Sequence, residues 1–125
     1  MLVGAVLGAA GFAVGQLLLP GSWRLWFEAA LVAWIGAIYI GFGLVSGTRS
    51  AVIEVAGGIA MLFLGVLGGT SNVWLLPLAL LLHAIWDAAH HDGRISAGVP
   101  RWYPSFCAAA DLVLAGLYAA VHRGA

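Results

Sequence analysis

The chain has 125 residues, of which 63% are hydrophobic and 8% are charged, and its formal net charge is zero. This composition excludes a water-soluble globular domain and is typical of a protein that crosses a membrane several times. The few basic residues are scattered arginines, so we expect no nucleic-acid partner, and the single Cys107 excludes an intramolecular disulfide.

The hydropathy pattern divides the chain into five apolar segments. Each has about 20 residues, the length that an α-helix needs to cross the roughly 30 Å hydrocarbon core of a bilayer. Short stretches rich in Gly, Pro, Ser or Asn separate the segments. We therefore predict an all-α membrane protein, a single domain over residues 1–125 that forms a compact bundle of five transmembrane helices with short loops. The predicted helices cover residues 1–19, 24–46, 50–68, 73–91 and 103–122.

Small residues and arginines suggest how the bundle is arranged. The first predicted helix carries a glycine stripe that lets another helix approach closely, at Gly4, Gly8, Gly11 and Gly15. Such stripes are compatible with a homodimer. Three arginines lie on the same side as Met1, against two on the other side, which favours a cytoplasmic N-terminus. The expected location is the bacterial inner membrane, with membrane lipid around the helices.

Ionisable residues lie inside these apolar segments. Four of the five carboxylates do so, namely Glu28, Glu54, Asp87 and Asp111. The fourth predicted helix adds His83, His90 and His91. Ionisable side chains within a membrane are costly and usually mark a functional site.

Helix direction predicts which of these side chains converge. Because consecutive helices run in opposite directions, each polar residue can be assigned a depth in the membrane. The residues predicted to lie in the half of the membrane nearer Met1 are Tyr39, Glu54, His83, Asp87, His90, His91 and Asp111. Glu28 is predicted near the opposite face with Arg24 as its partner one turn away, and His122 is interpreted as a tail residue.

Histidines and carboxylates together are suitable ligands for Zn, Fe or Mn, and a divalent cation between closely spaced carboxylates offsets their mutual repulsion. The candidate metal ligands are Glu54, His83, Asp87, His90, His91 and Asp111, and the candidate catalytic residues are Tyr39, Glu54, Asp87 and Asp111. Cys107 is one helical turn from Asp111 and could line the same cavity, but we interpret it as a core residue. No sequence signal indicates a nucleotide or a flavin.

Three functions are compatible with this set of residues. The first is a metal-dependent intramembrane enzyme that acts on a lipophilic small molecule, a lipid or an isoprenoid. The second is a proton-coupled or metal-ion transporter or channel, because the same residue types form ion pathways. The third is a metal-free acid–base isomerase, in which a desolvated carboxylic acid and a neighbouring base exchange protons with the substrate.

Two motifs carry a resemblance to a known family. They are His-Ala-Ile-Trp-Asp-Ala-Ala-His-His at residues 83–91, and Val-Pro-Arg-Trp-Tyr-Pro-Ser-Phe-Cys at residues 99–107, followed by Asp111. This pattern resembles a family of small bacterial integral membrane proteins known only as a domain of unknown function. The resemblance implies that Glu54, His83, Asp87, His90, His91 and Asp111 act as a set, and it implies no activity.

A fainter similarity exists to the five-helix emopamil-binding-protein-like sterol isomerases, which also place a His and an acid one turn apart in a membrane pocket. The additional histidines and the smaller size of this chain depart from that pattern. The similarity therefore does not assign a reaction.

Overall fold

The structure is a computed structural model that describes residues 1–96 and 98–125. It contains five α-helices, α1 (Leu2–Leu18), α2 (Gly21–Val45), α3 (Thr48–Thr70), α4 (Leu75–His90) and α5 (Tyr103–Val121). A short 3₁₀ turn, His91–Gly93, follows α4, and the described residues contain no strand. The prediction of an all-α fold with five helices is confirmed. The predicted loop at residues 92–102 includes Ala97, which lies outside the described residues.

Three of the helices are long and apolar enough to cross a membrane. They are α2 with 25 residues, α3 with 23 and α5 with 19. Helix α1 is apolar but has only 17 residues, and α4 has 16. By length and composition, therefore, the structure supports a membrane protein with three spanning helices.

Helices α2 and α3 form a closely packed antiparallel pair. Glycines make this approach possible, because a Cβ atom on Gly36 would overlap the Met61 side chain. Nearer the connection between the two helices, a Cβ atom on Gly43 would lie 2.6 Å from Cγ of Glu54. Gly43 thus leaves the space that the Glu54 side chain occupies between the two helices.

Helix α5 packs against both α4 and α1. The contact with α1 depends on the predicted glycine stripe, since a Cβ atom on Gly4 or Gly8 would overlap the backbone of Phe106 or Ala110. By contrast, a Cβ atom on Gly11 would meet nothing within 4 Å. The stripe therefore serves mainly to pack α1 within the chain.

The middle of the bundle is an apolar layer of buried residues. On α2 and α5 these residues lie between two levels at which polar side chains are buried. The layer contains Ala29, Val32, Met61, Leu76, Ala79, Leu80, Leu114, Ala115 and Tyr118. One polar level includes Asp111 on the N-terminal side of this part of α5, and the other includes His122 just after α5.

The second polar level corrects two predictions from the sequence. Glu28 is 2% exposed and accepts hydrogen bonds from Nε2 of Gln16 at 2.8 Å and from Nε2 of His122 at 2.6 Å. Arg24 instead donates from Nε to the Leu19 carbonyl oxygen at 2.9 Å, at the end of α1. The predicted pairing of Glu28 with Arg24 is therefore wrong, and so is the interpretation of His122 as a tail residue. The four-residue spacing on α2 places Arg24 near Glu28, but the Arg24 guanidinium donates to a backbone carbonyl oxygen at the α1–α2 turn instead.

Candidate functional site

Helix α4 presents three buried ionisable residues on one face. His83, Asp87 and His90 are separated by four and three residues, so their side chains point in similar directions. The helix then ends, and Asp92 and Gly93 both adopt positive φ angles. The side chain of His91 is 50% exposed, and its Nδ1 lies 3.1 Å from Oδ2 of Asp92. His91, a predicted metal ligand, is therefore not brought into the buried group.

Asp87 and three further side chains, from three helices in all, meet in one buried group. The Tyr39 hydroxyl on α2 donates a hydrogen bond to Oδ1 of Asp87 at 2.5 Å. Nδ1 of His83 lies 2.7 Å from Oδ2 of Asp111 on α5 and 3.6 Å from Oδ2 of Asp87. The predicted convergence of Tyr39, His83, Asp87 and Asp111 is present in the structure.

Cys107 joins this group from α5, where it is buried one turn before Asp111. One ligand atom from each of His83, Asp87, Cys107 and Asp111 can be chosen so that all four atoms lie within 4.8 Å of one another. We refer to these four residues as the tetrad. Cys107 was absent from the predicted ligands, although its four-residue spacing from Asp111 placed it on the same face.

Glu54 and His90 form a separate hydrogen-bonded pair. Nδ1 of His90 lies 2.8 Å from the Trp86 carbonyl oxygen, so this nitrogen carries a hydrogen and donates it. Nε2 of the same ring lies 2.7 Å from Oε1 of Glu54. Both nitrogens of His90 are thus occupied. Glu54 and His90 lie beside the tetrad and not within it, and the ring of Tyr39 contacts both His83 and His90.

Several polar atoms of the tetrad are not satisfied by hydrogen bonds. Among the residues that the structure describes, Oδ2 of Asp87, Oδ1 of Asp111 and Nε2 of His83 are buried and have no hydrogen-bond partner. A buried polar atom without a partner costs about 1 to 3 kcal/mol, and more when it is charged. A cation between the two carboxylates would offset that cost.

The donor set fits a transition metal. A thiolate, an imidazole and two carboxylates are ligands that Zn or Fe accept. Bond lengths of about 2.0 to 2.3 Å in a tetrahedral zinc site place ligand atoms about 3.3 to 3.8 Å apart. Since the four atoms already lie within 4.8 Å of one another, small side-chain movements suffice to close the site. The tetrad could therefore hold one metal ion.

Two openings reach the site from different directions. A cavity of about 140 Å³ lies between α2, α3 and α4, and its lining includes His83 and Tyr39 among mostly apolar residues. A wider depression of about 300 Å³ lies between α4 and α5 at the end where α4 finishes, and it is lined by Asp87, His91 and Arg94 among others. The buried group thus borders an apolar cleft on one side and a charged opening on the other.

Comparison with known proteins assigns the chain to a family without a described activity. No curated protein and no solved structure matches it. A family model matches residues 1–123, which is nearly the whole chain. The resemblance to a family of unknown function is thereby confirmed: the chain belongs to the family of unknown function DUF6010.

Proposed function

We propose that the protein is a metal-dependent membrane enzyme that acts on a lipophilic substrate, and that the tetrad holds its metal ion. The observation that carries this proposal is the meeting of four ligand atoms within 4.8 Å in a fully buried site. Buried carboxylates are rare inside membranes and usually have a functional reason. Here two of them face one imidazole, and each has an oxygen without a partner.

We also propose that all five helices lie in the membrane, including the two shorter ones. The outward face of α4 consists of large apolar side chains, at Leu78, Leu81, Leu82 and Ile85. The outward face of α1 is similar, with Val3, Val6, Leu7, Leu17 and Leu18 exposed. Exposed apolar surface of this extent favours lipid as the surrounding medium. Helices of 16 and 17 residues reach about 24 to 26 Å, and slight local thinning of the bilayer accommodates that length.

The distribution of arginines supports a cytoplasmic N-terminus in this arrangement. Arg49, Arg94 and Arg101 lie at the Met1 end of the bundle, against Arg24 and Arg123 at the other end. The similarity to small bacterial membrane proteins favours the bacterial inner membrane as the location. The charged opening lined by Arg94 then faces the cytoplasm.

The choice of metal follows from the ligand types. Cys107 makes Zn or Fe a better match than Mn, because thiolates favour softer ions and Mn favours oxygen ligands. When bound, such an ion would supply a Lewis acid for a substrate oxygen, which requires a coordination position beyond the four protein ligands or the release of one of them. The surrounding residues orient the ligands: Tyr39 holds Asp87 through its hydroxyl, and packing against Tyr39 fixes the His83 ring. Partners of this kind usually tune a metal site strongly.

A metal-free acid–base isomerase is the second candidate, and one geometric observation favours it. Asp111 holds Nδ1 of His83 at 2.7 Å and leaves Nε2 without a partner. A carboxylate that fixes one nitrogen of an imidazole can prepare the other nitrogen to accept a proton from a substrate. This mechanism uses His83 and Asp111 but gives no role to Cys107.

Elemental analysis distinguishes these two candidates. The protein is purified in detergent without chelators, and its metal content is measured by plasma mass spectrometry for the wild type, His83→Ala and Asp111→Asn. His91→Ala is the matched control, because His91 is exposed and outside the tetrad. We expect about one metal ion per chain in the wild type and the control, and loss of the ion in both tetrad variants.

Two results would contradict the metal-dependent function. One is absence of metal in wild-type protein after reconstitution with Zn and Fe. The other is equal loss of metal in His91→Ala and in the tetrad variants, which would indicate adventitious binding to surface histidines. Either result would leave the acid–base mechanism as the better account of the His83–Asp111 contact.

A further inference from the structure

We propose that the cleft between α3 and α4 is a lateral entrance through which one unbranched hydrocarbon chain of a membrane lipid reaches His83. This inference names the substrate class of the enzyme proposed above and rests on that function for its chemistry. Binding of the chain itself, however, depends on the shape and polarity of the cleft. It can therefore be tested separately from the metal ion.

The cleft opens toward the outside of the bundle. Its lining on α3 runs from Gly57 to Leu64, a separation of seven residues that corresponds to about 10 Å along the helix axis. Ala60 on α3 and Leu82 on α4 both line it and are both exposed on the outer surface. Because the surface around Leu82 is apolar and faces lipid in the proposed arrangement, a molecule in the bilayer can reach the cleft without passing through water.

The close approach of Trp86 to Gly57 and the small volume limit what the cleft can hold. A Cβ atom on Gly57 would lie 3.0 Å from the Trp86 ring, so the indole closes one end directly against the α3 backbone. The volume is about 140 Å³. An apolar cavity of about 150 Å³ in another protein takes up one benzene molecule. The cleft thus admits a few methylene groups of a single chain, and a fused-ring lipid such as a sterol does not fit.

A buried polar atom of a residue that lines the cleft offers a hydrogen-bonding position for the lipid. His83 lines the cleft, is 3% exposed, and has Nδ1 turned toward Asp111 and Asp87. The opposite edge of the ring carries Nε2, which has no partner among the described residues. A hydroxyl or carbonyl group on the lipid chain would supply that partner. The substrate class is therefore a linear lipid with an oxygen function on its chain, such as a fatty acid or a fatty alcohol.

Photolabelling tests the entrance. Wild-type protein in phosphatidylcholine nanodiscs is illuminated with a palmitic acid analogue that carries a diazirine in the middle of its chain, and the labelled residues are mapped by peptide mass spectrometry. We expect labels to concentrate on the cleft segments of α3 and α4. Unlabelled palmitic acid should compete with the probe, and cholesterol should not.

Variants at the mouth of the cleft provide the matched comparison. Ala60→Phe places a ring in the opening, whereas Ala56→Phe adds the same ring one turn earlier on α3, at an exposed position that is not part of the cleft lining. We expect Ala60→Phe to reduce labelling of the cleft about tenfold and Ala56→Phe to leave it unchanged, because only the first blocks access. Leu82→Trp blocks the same opening from α4 and serves if Ala60→Phe does not fold.

Labelling that is spread evenly over the exposed faces of all helices would overturn the proposal, as would equal labelling of the two phenylalanine variants. Competition by cholesterol as effective as that by palmitic acid would overturn the restriction to unbranched chains. Metal content, measured on the same samples, separates this inference from the proposed function. Specific labelling of a protein that binds no metal would support the cleft and contradict the metal site. A protein that is fully loaded with metal but shows no specific labelling would support the metal site and contradict the cleft.

Discussion

His83 on α4 and Asp111 on α5 are 28 residues apart in the chain, yet Nδ1 of the imidazole lies 2.7 Å from Oδ2 of the carboxylate. This contact joins the two helices inside an apolar bundle, where a polar side chain without a partner is costly. Asp87 lies on the other side of the same nitrogen at 3.6 Å. When both are ionised, two carboxylates that share one imidazole carry more negative charge than that imidazole can neutralise, and a cation between them is one way to balance it.

Tyr39 provides the first prediction. Tyr39→Phe removes the hydroxyl that donates to Oδ1 of Asp87, so the carboxylate loses its fixed orientation. We expect zinc affinity to fall about 10- to 100-fold, as is usual when a partner of a ligand is removed. A competition titration against a zinc-binding dye measures this change.

Tyr118→Phe is the matched control for Tyr39→Phe. Tyr118 is also fully buried, but within the described part of the chain its hydroxyl has no hydrogen-bond partner. Its removal should leave zinc affinity unchanged, and stability should stay the same or rise, because no hydrogen bond is lost and a buried hydroxyl without a partner is removed. Equal losses of affinity in the two variants would show that Tyr39 acts only by filling space.

Metal loading should stabilise the folded protein. An ion that binds only the folded state adds about 2.7 kcal/mol to the free energy of unfolding at a free concentration of 100 Kd. We expect zinc to raise the thermal midpoint of the wild type and of His91→Ala, and chelator to reverse the shift. Asp111→Asn should show no shift. A zinc-dependent shift of the same size in Asp111→Asn would place the ion elsewhere.

Glu28 forms the polar contact at the opposite end of the bundle, where it receives hydrogen bonds from Gln16 and His122. Glu28→Gln removes the charge that strengthens both bonds, and we expect a loss of about 1 to 3 kcal/mol in the free energy of unfolding. Metal content should not change, because the apolar layer separates Glu28 from the tetrad. Unfolding in mixed detergent micelles measures the loss. Arg123→Ala changes an exposed neighbour of His122 and should be neutral.

The apolar layer also leads to a prediction about transport. Val32, Leu80 and Leu114 are buried in this layer, and among its described residues the Tyr118 hydroxyl is the one polar side-chain group. An ion that crosses would have to pass most of this layer without ligands, which is costly. We expect proteoliposomes filled with a zinc-sensitive dye to show no more zinc uptake than empty liposomes. Uptake that disappears in both Asp111→Asn and Glu28→Gln would instead favour a transporter.

The sequence predicted the helices and most of the buried group because both depend on periodicity. Apolar segments of sufficient length become helices in this fold, with ends within three residues of the predicted ones. Spacings of three and four residues correctly placed His83, Asp87 and His90 on one face of α4.

The errors arose where periodicity does not determine the partner. His90 and His91 are adjacent, and the helix ends between them, so one ring is buried and the other is exposed. Glu28 and His122 are 94 residues apart, and their contact depends on how α2 and α5 are rotated about their axes. Local spacing instead suggested Arg24 as the partner of Glu28. Cys107 was on the predicted face, but its thiol is apolar enough that core packing was the preferred explanation.

X-ray absorption at the zinc edge tests the four-residue metal centre most directly. In zinc-loaded wild-type protein we expect one sulfur neighbour at about 2.3 Å and nitrogen or oxygen neighbours at about 2.0 to 2.2 Å. The only cysteine in the chain is Cys107, so this sulfur identifies the site, and Cys107→Ser should replace it with oxygen or abolish zinc binding. A zinc ion with no sulfur neighbour in the wild type would contradict the account, because it would place the metal outside the tetrad.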